Sequence, residues 1–399
     1  MKKVLIVNYY FKFGGISSSL NNLLDSFSKE EGYSIDLFLL NSEIDSKYRL
    51  PKNVNIIQAN YLSKIFFKSF KETIQFGTII DKLVAIILLI FSKIFGFKFM
   101  MKIIIKLEKK LKGYDIAISF SNDIYKSNVS FFERNFSGGC NYFVEKNVSS
   151  RKKVAWVHND PYRLNLNHYR CQKTYKNFDT IVNVSYACKS KFDKIIPEFK
   201  DKSIVIGNLI NTQKLVDLSN QFEPSFDNNI FNMVTVARID NQQKRIDKII
   251  EISKQLKSEK KKFSWTIIGG GPDLEKLKQE VIDMELTKNI FFLGKMNNPY
   301  PYMKFADLTV LTSDYEAQGM VISESLTIGT PVLSTDFEAA YEFINPGVNG
   351  YIEKKEIDYL CEKILELIDN PDIIKELKKN TSEIIRSNNY ELFLNMVRG

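Results

Sequence analysis

Two carboxylates, Glu316 and Glu324, stand eight residues apart in the stretch DYEAQGMVISESL. A carboxylate accepts hydrogen bonds from neighbouring hydroxyls, so such a pair suits the binding of polyols. Glu316 falls in a loop, and Glu324 lies one turn into a helix whose first turn holds 319–322. A helix start offers unpaired backbone N–H groups and a positive dipole end, which suit a phosphate or a sugar hydroxyl. Glu324 then suits ribose hydroxyls and Glu316 a second polyol. Two solvated carboxylates at a loop and a helix start are the plainer alternative.

Upstream, Arg238 closes a run of strand character, and Gln243, Lys244 and Arg245 precede a helix that opens at Ile246. Cations gathered at a strand end suit a diphosphate, the guanidinium as a fork and the ammonium as a point charge. A charged, solvated loop is the competing reading. Gly269-Gly270-Gly271-Pro272 reads as a structural turn from strand to helix, with proline at the helix start. It is not GxGxxG and implies no dinucleotide. In the first half, Gly14-Gly15 separates the first strand from a helix opening at Ser17, where glycine lets the backbone approach a ligand. His158, one of two histidines, closes the run 153–158; it serves either a ligand or the core. The chain has no DxD, GxxxxGK[ST], HExxH or GxSxG, and Asp314 and Glu316 form only a DxE. A metal-independent mechanism is expected, with basic side chains in place of a divalent cation.

These residues must be held by regular elements. The 399 residues, 44% hydrophobic and 26% charged, have the composition of a folded protein of two domains. Strand character at 3–8, 34–40, 54–58, 115–120, 153–158, 180–185 and 203–207 alternates with helical stretches. A second cycle has strands at 231–237, 263–268, 290–292, 308–311 and 331–334, with helices at 246–256, 274–285, 321–328 and 357–369. Such alternation predicts α/β architecture with parallel sheets. The polar stretch 217–229 reads as a linker between domains 1–216 and 230–385, and 386–399 as a helix returning to the first domain. Four scattered cysteines without CxxC argue against disulfides and zinc and favour a reducing compartment. The short apolar run after Met1-Lys2-Lys3 reads as a buried strand rather than a signal peptide.

The formal net charge is +9, and it is concentrated: 61–112 holds eleven lysines against Glu72, Asp81 and Glu108. The same segment is strongly apolar, yet its longest charge-free run, 83–91, is about half a membrane span. Lys98, Lys102 and Lys106 share one helical face, while Ile94, Phe95, Phe99, Met101, Ile103 and Ile105 crowd the rest. A helix of this kind suits the surface of an anionic membrane. Packing on the domain core with a solvated lysine edge is the alternative. No motif supports a nucleic-acid partner.

Taken together, these residues resemble the retaining, nucleotide-sugar-dependent glycosyltransferases of family 4, the group 1 enzymes of bacterial polysaccharide biosynthesis. The match rests on Glu316 and Glu324 as the E-x7-E motif and on Arg238-Ile239 with Gln243 to Asp247 as the basic stretch. Gly269 to Pro272, Gly329 to Val332, Gly347 to Gly350, Gly14-Gly15, the Trp156/His158/Asp160 strand end, Ser185 and Asn208 follow in order. Two positions depart from the pattern. Glu316-Ala317-Gln318-Gly319 replaces Glu-Gly-Phe-Gly, so the loop is expected to differ where Ala317 meets positive φ, and Asn208-Leu209 replaces Asn-Gly.

The resemblance implies a GT-B fold, two doubly wound Rossmann-like domains facing each other across a cleft. It implies catalytic roles for His158, Arg238, Lys244 and Glu316. It places the nucleotide sugar, UDP- rather than GDP-linked, on Gly14, Gly15, Arg238, Lys244, Gly294, Gln318, Gly319, Met320, Val321 and Glu324. No metal and no further cofactor are expected. The implied acceptor is a glycan, lipid-linked through a polyprenyl carrier, at the cytoplasmic face of the inner membrane, with 61–112 as the membrane-facing segment. A protein or soluble-glycan glycosyltransferase and a non-catalytic GT-B subunit stay open as alternatives.

Overall fold

In this computed structural model of the protein, the described residues are 1–12, 14–45, 48–121, 138–164, 166–381 and 388–399. The chain divides into two compact units, 1–209 with 388–399 and 210–387.

Among the described residues, unit 1 is built on seven strands: β1 (Lys2–Asn8), β2 (Tyr33–Leu39), β3 (Val54–Gln58), β4 (Leu111–Ser119), β5 (Val148–Val157), β6 (Thr180–Asn183) and β7 (Ser203–Val205). All pair in parallel, in the order β3-β2-β1-β4-β5-β6-β7. Val4 to Val7 are wholly buried, as expected of a central parallel strand covered on both faces. Between these strands the described residues form α1 (Gly15–Phe27), α2 (Tyr61–Phe67), α3 (Phe70–Phe76), α4 (Ile79–Phe95), α5 (Phe97–Lys106), α6 (Gly139–Asn147), α7 (His168–Tyr175) and α8 (Tyr186–Ile195). Leu20, Leu23, Leu24 and Phe27 recur at helical spacing and carry the buried face of α1.

The basic, apolar segment differs from the single lysine-faced helix expected across 94–105. Gly96, at φ 85°, breaks it into α4 and α5. In α5, Met100, Met101, Ile104 and Ile105 turn into the core, leaving Lys98 and Lys106 exposed. That helix adopts the packed alternative. In α4, by contrast, Ala85 and Ser92 are the buried residues, and most of its isoleucines face outward.

Unit 2 starts with α9 (Thr212–Ser219) and carries β8 (Phe231–Val236), α10 (Asp247–Ser258), β9 (Phe263–Ile268), α11 (Leu274–Asp283) and β10 (Ile290–Gly294). It continues with α12 (Tyr300–Phe305), β11 (Leu308–Leu311), α13 (Met320–Thr327), β12 (Val332–Thr335), β13 (Gly350–Glu353), α14 (Ile357–Asp369) and α15 (Pro371–Asn380). Its parallel sheet runs β10-β9-β8-β11-β12-β13. The expected linker 217–229 therefore begins inside α9, where Asn211 caps the helix and Leu215 packs with Val234, Ile268 and Met303. The division falls after Leu209, and the expected limit at 385/386 lies outside the described residues.

The last helix, α16 (Asn389–Arg398), belongs to unit 1. Phe393 meets Phe27 edge-on at 5.0 Å and Trp156 at 6.3 Å, and the Lys2 ammonium donates to the Arg398 carbonyl at 2.6 Å.

Candidate functional site

In unit 2 the strand order reverses between β8 and β11, and ligands of open α/β sheets bind beyond the carboxyl ends of strands at such a switch point. The loop after β8 carries Arg238 and Lys244; the loop after β11 carries Glu316. Backbone bonds stitch the two loops together: Asp314 N–H donates to the Gln243 carbonyl at 2.8 Å, and the Thr312 hydroxyl to the Lys244 carbonyl at 2.8 Å.

Lys244 and Glu316 form an ion pair in which both side chains are largely buried. Glu316 also accepts from the Ser313 hydroxyl at 2.8 Å and from the Gln243 amide at 3.3 Å. Its orientation is thus fixed from both loops. The Asp240 carboxylate holds the half-exposed Arg238 guanidinium at 2.5 Å, and its carbonyl accepts the Lys244 N–H at 2.8 Å. The third cation is spent elsewhere. Arg245 adopts φ 51°, and its side chain pairs with Asp247 (2.8 Å) and Asp314 (3.3 Å). Asp314 also pairs with Lys248 at 3.0 Å, and these cations hold its carboxyl below the usual range despite its partial burial. Asp314 is therefore engaged in a structural network, not poised beside Glu316 as a metal-ligating pair. Among the described residues no cluster of three metal-ligating side chains occurs.

The glycines after β9 are structural, as their sequence suggested. A Cβ on Gly269 would lie 1.7 Å from the Ala237 carbonyl oxygen, and one on Gly271 would lie 2.0 Å from that of Ile239. Their absence lets the β8 and β9 loops touch, with Ile239 N–H donating to the Gly270 carbonyl at 3.2 Å. Gly294 ends β10 at φ 72°, and its carbonyl accepts from Gly269 N–H at 2.8 Å.

Gly319 is the left-handed residue of the glutamate loop, at φ 78°, and caps α13. Ala317 is not at positive φ, so the strain expected from its replacement of glycine does not arise. Gln318 is buried, and Met320 and Val321 open the helix partly exposed. Glu324 follows one turn on and accepts a 3.3 Å hydrogen bond from the Tyr300 hydroxyl at the start of α12. Desolvation raises its carboxyl to about 7, while Tyr300 pulls in the opposite direction. Tyr300 gave no signal in the sequence, because it lies 24 residues away on a six-residue helix.

The unit 1 candidates lie at the carboxyl edge of the other sheet. Gly14, at φ 151°, caps α1, and Gly15 opens it, exposed. A Cβ at Gly14 would meet open space, so the backbone angle, and not crowding, selects glycine there. His158 follows directly on β5, nine-tenths buried, its ring 4.6 Å from that of Phe120. Burial lowers its pKa to about 3, against hydrogen bonds of the ring with the Asn208 side chain and the Phe120 backbone, which favour the protonated form, so the ring is neutral at physiological pH. His158 and Asn208, singled out separately in the sequence, thus come together. Ser185 caps α8 by accepting from Cys188 N–H at 3.0 Å.

Residues 219–386 match the Glycosyl transferases group 1 family. Over those residues the chain is similar to a group 1 glycosyltransferase domain, and its fold is that of the GT-B glycosyltransferases. Poly(ribitol-phosphate) alpha-N-acetylglucosaminyltransferase of Staphylococcus aureus (strain COL) is 27% identical over 277 residues, covering 62% of this chain and 54% of that protein. The chain thus spans about half the length of that relative. Anabaena HepE in complex with UDP superposes with a TM-score of 0.66 at 14% identity, over 100% of both chains. A point mutant of S. aureus TarM in complex with Fondaparinux, alpha-GlcNAc-glycerol and UDP gives 0.65 at 15%, again over 100% of both.

Proposed function

We propose that the protein transfers a sugar, with retention of configuration, from a UDP-sugar to a glycan acceptor in bacterial surface polysaccharide assembly. The observation that carries this reading is the Lys244–Glu316 ion pair at the β8/β11 switch point, with Arg238 on the same loop as Lys244 and Glu324 on the helix that follows. The relative acting on poly(ribitol phosphate) and the UDP held by HepE and TarM support the reading of substrate class.

In the proposed reaction the sugar C1–O bond to the diphosphate breaks and its electron pair leaves with UDP. Arg238 and Lys244 stabilise that charge without a metal ion. A C1–O bond to the acceptor forms on the same face, and the acceptor hydroxyl proton passes to the departing phosphate. Glu324 holds the ribose, and Glu316 the hydroxyls of the donor sugar. His158, neutral, acts on the transferred sugar by hydrogen bonding. Gly14 and Gly15 allow the backbone of the α1 start to approach a ligand, and Gly294, Gln318, Gly319, Met320 and Val321 line the nucleotide. The acceptor is lipid-linked, and 61–112 brings the enzyme to the cytoplasmic face of the membrane.

Thermal unfolding against UDP-, GDP-, ADP- and CMP-sugars tests the donor site. Ligand at about 100 times its Kd adds about 2.7 kcal/mol to the folded state, enough to move a melting curve by some degrees. A shift with UDP-sugars that is lost in Glu324→Ala is the expected result. No shift with any donor overturns the reading.

A further inference from the structure

We propose that α4 is an in-plane anchor on an anionic bilayer, with its apolar stripe among the acyl chains and its lysines at the head groups. The inference rests on the membrane part of the function proposed above, not on its sugar chemistry.

The helix is firmly delimited. Thr78 and Asp81 form a reciprocal cap at its start, and Gly96 ends it. Its inward seam is Ala85 and Ser92, seven residues apart. On the opposite side Ile79, Leu83, Ile87, Ile90 and Ile94 follow one another at steps of three and four residues, from 78% exposed at Ile79 to 49% at Ile90. A surface helix of a water-soluble domain places polar residues there, and a continuous apolar stripe marks an interaction surface. At 17 residues α4 is too short to span a bilayer, and no described helix is long and apolar enough to cross one. At 100° per residue Lys82 and Lys93 fall together along one edge of the stripe, the arrangement of a helix lying at the head-group boundary.

Charge selects the occupant. The segment's three carboxylates are each engaged within the protein. Glu72 binds Lys12 at 2.8 Å, Asp81 accepts from the Tyr61 hydroxyl at 2.6 Å, and Glu108 accepts from the backbone N–H groups of Asn60 and Lys109. On the neighbouring α5, partial burial and the repulsion of Lys173, Lys98 and Lys106 push the Lys102 ammonium below its ordinary range. This cluster gains most from an anionic surface. A second copy of the chain would bring lysine against lysine, so anionic lipid is the complement.

The test uses the full chain. Both native tryptophans, Trp156 and Trp265, are buried, so an Ile87→Trp variant reports α4 against a constant background. Equimolar phosphatidylcholine–phosphatidylglycerol vesicles should shift its emission to the blue, and phosphatidylcholine alone should not. Replacing Leu83, Ile87, Ile90 and Ile94 together by serine should reduce co-sedimentation by about tenfold or more and leave the melting shift with UDP intact. Sedimentation without a blue shift overturns the proposal, because another face then binds. So does an absence of sedimentation together with a wild-type dimer that the serine variant converts to monomer. A blue shift without any melting response to nucleotides leaves the anchor standing and removes the donor reading.

Discussion

Lys244 and Glu316, 72 residues apart in sequence, are paired across the point where the unit 2 sheet reverses its order. The pair holds the β8 and β11 loops in one geometry before any ligand arrives. A diphosphate bound as proposed would share Lys244 with Glu316.

Lys244→Ala should therefore lower kcat by an order of magnitude or more, since the leaving charge loses a cation. Glu316 keeps Ser313 and Gln243 as donors, so the fold should survive. Single-turnover kinetics with a UDP-sugar, alongside a melting curve, checks both statements.

If Glu324 holds the ribose as proposed, donor binding should depend on pH. With the site empty its carboxyl takes up a proton as pH falls through about 7. Ribose hydroxyls favour the carboxylate, so binding releases that proton. Affinity should weaken below about pH 7, by at most about tenfold per unit. Calorimetric titration of UDP across this range should show the slope in the wild type and none in Glu324→Gln.

His158 acts on stability with the opposite sign to Glu324. Its folded pKa of about 3 lies below the unfolded value near 6.5, so the unfolded chain takes the proton first. Stability should fall between those values on acidification, by up to roughly 1.4 kcal/mol per pH unit. Glu324, raised to about 7, should instead gain the folded state stability as pH falls toward its unfolded value. Denaturant unfolding of His158→Gln against wild type isolates the first effect; an unchanged acid limb would refute it.

Chelation with EDTA should leave turnover intact, and a loss restored by magnesium would contradict the metal-free reading. Asp314→Asn should cost about 1–2 kcal/mol of stability through its bonds to Arg245 and Lys248 and should leave kcat near wild type.

Much of this was legible in the sequence because central parallel strands are buried on both faces and so predominantly apolar. Val4 to Val7 and Phe263 to Ile268 declare themselves as buried runs. The glutamate pair and the basic stretch were legible because each is local. What escaped notice is short or cooperative. β13 is four residues long, α12 is six, and α15 follows the last expected helix of the second domain after a single residue. Lys244 turns to Glu316 while its neighbour Arg245, at φ 51°, turns to Asp247, and adjacent cations in a sequence give no hint of that partition. The Tyr300–Glu324 contact joins two elements and has no local signature. Periodicity found the apolar character around 94–105 but could not tell which half of it would be turned inward; Gly96 decides that.

Unit 1 is completed by residues 388–399, which the ribosome makes only after the whole of unit 2. Until then Phe27 and Trp156 lack Phe393, and the Lys2 ammonium lacks its Arg398 carbonyl. The first half to emerge during synthesis is thus the last to close. A nascent chain stalled before α16 exposes an aromatic seat on an otherwise formed sheet, which gives chaperones and proteases a means of telling an unfinished molecule from a finished one.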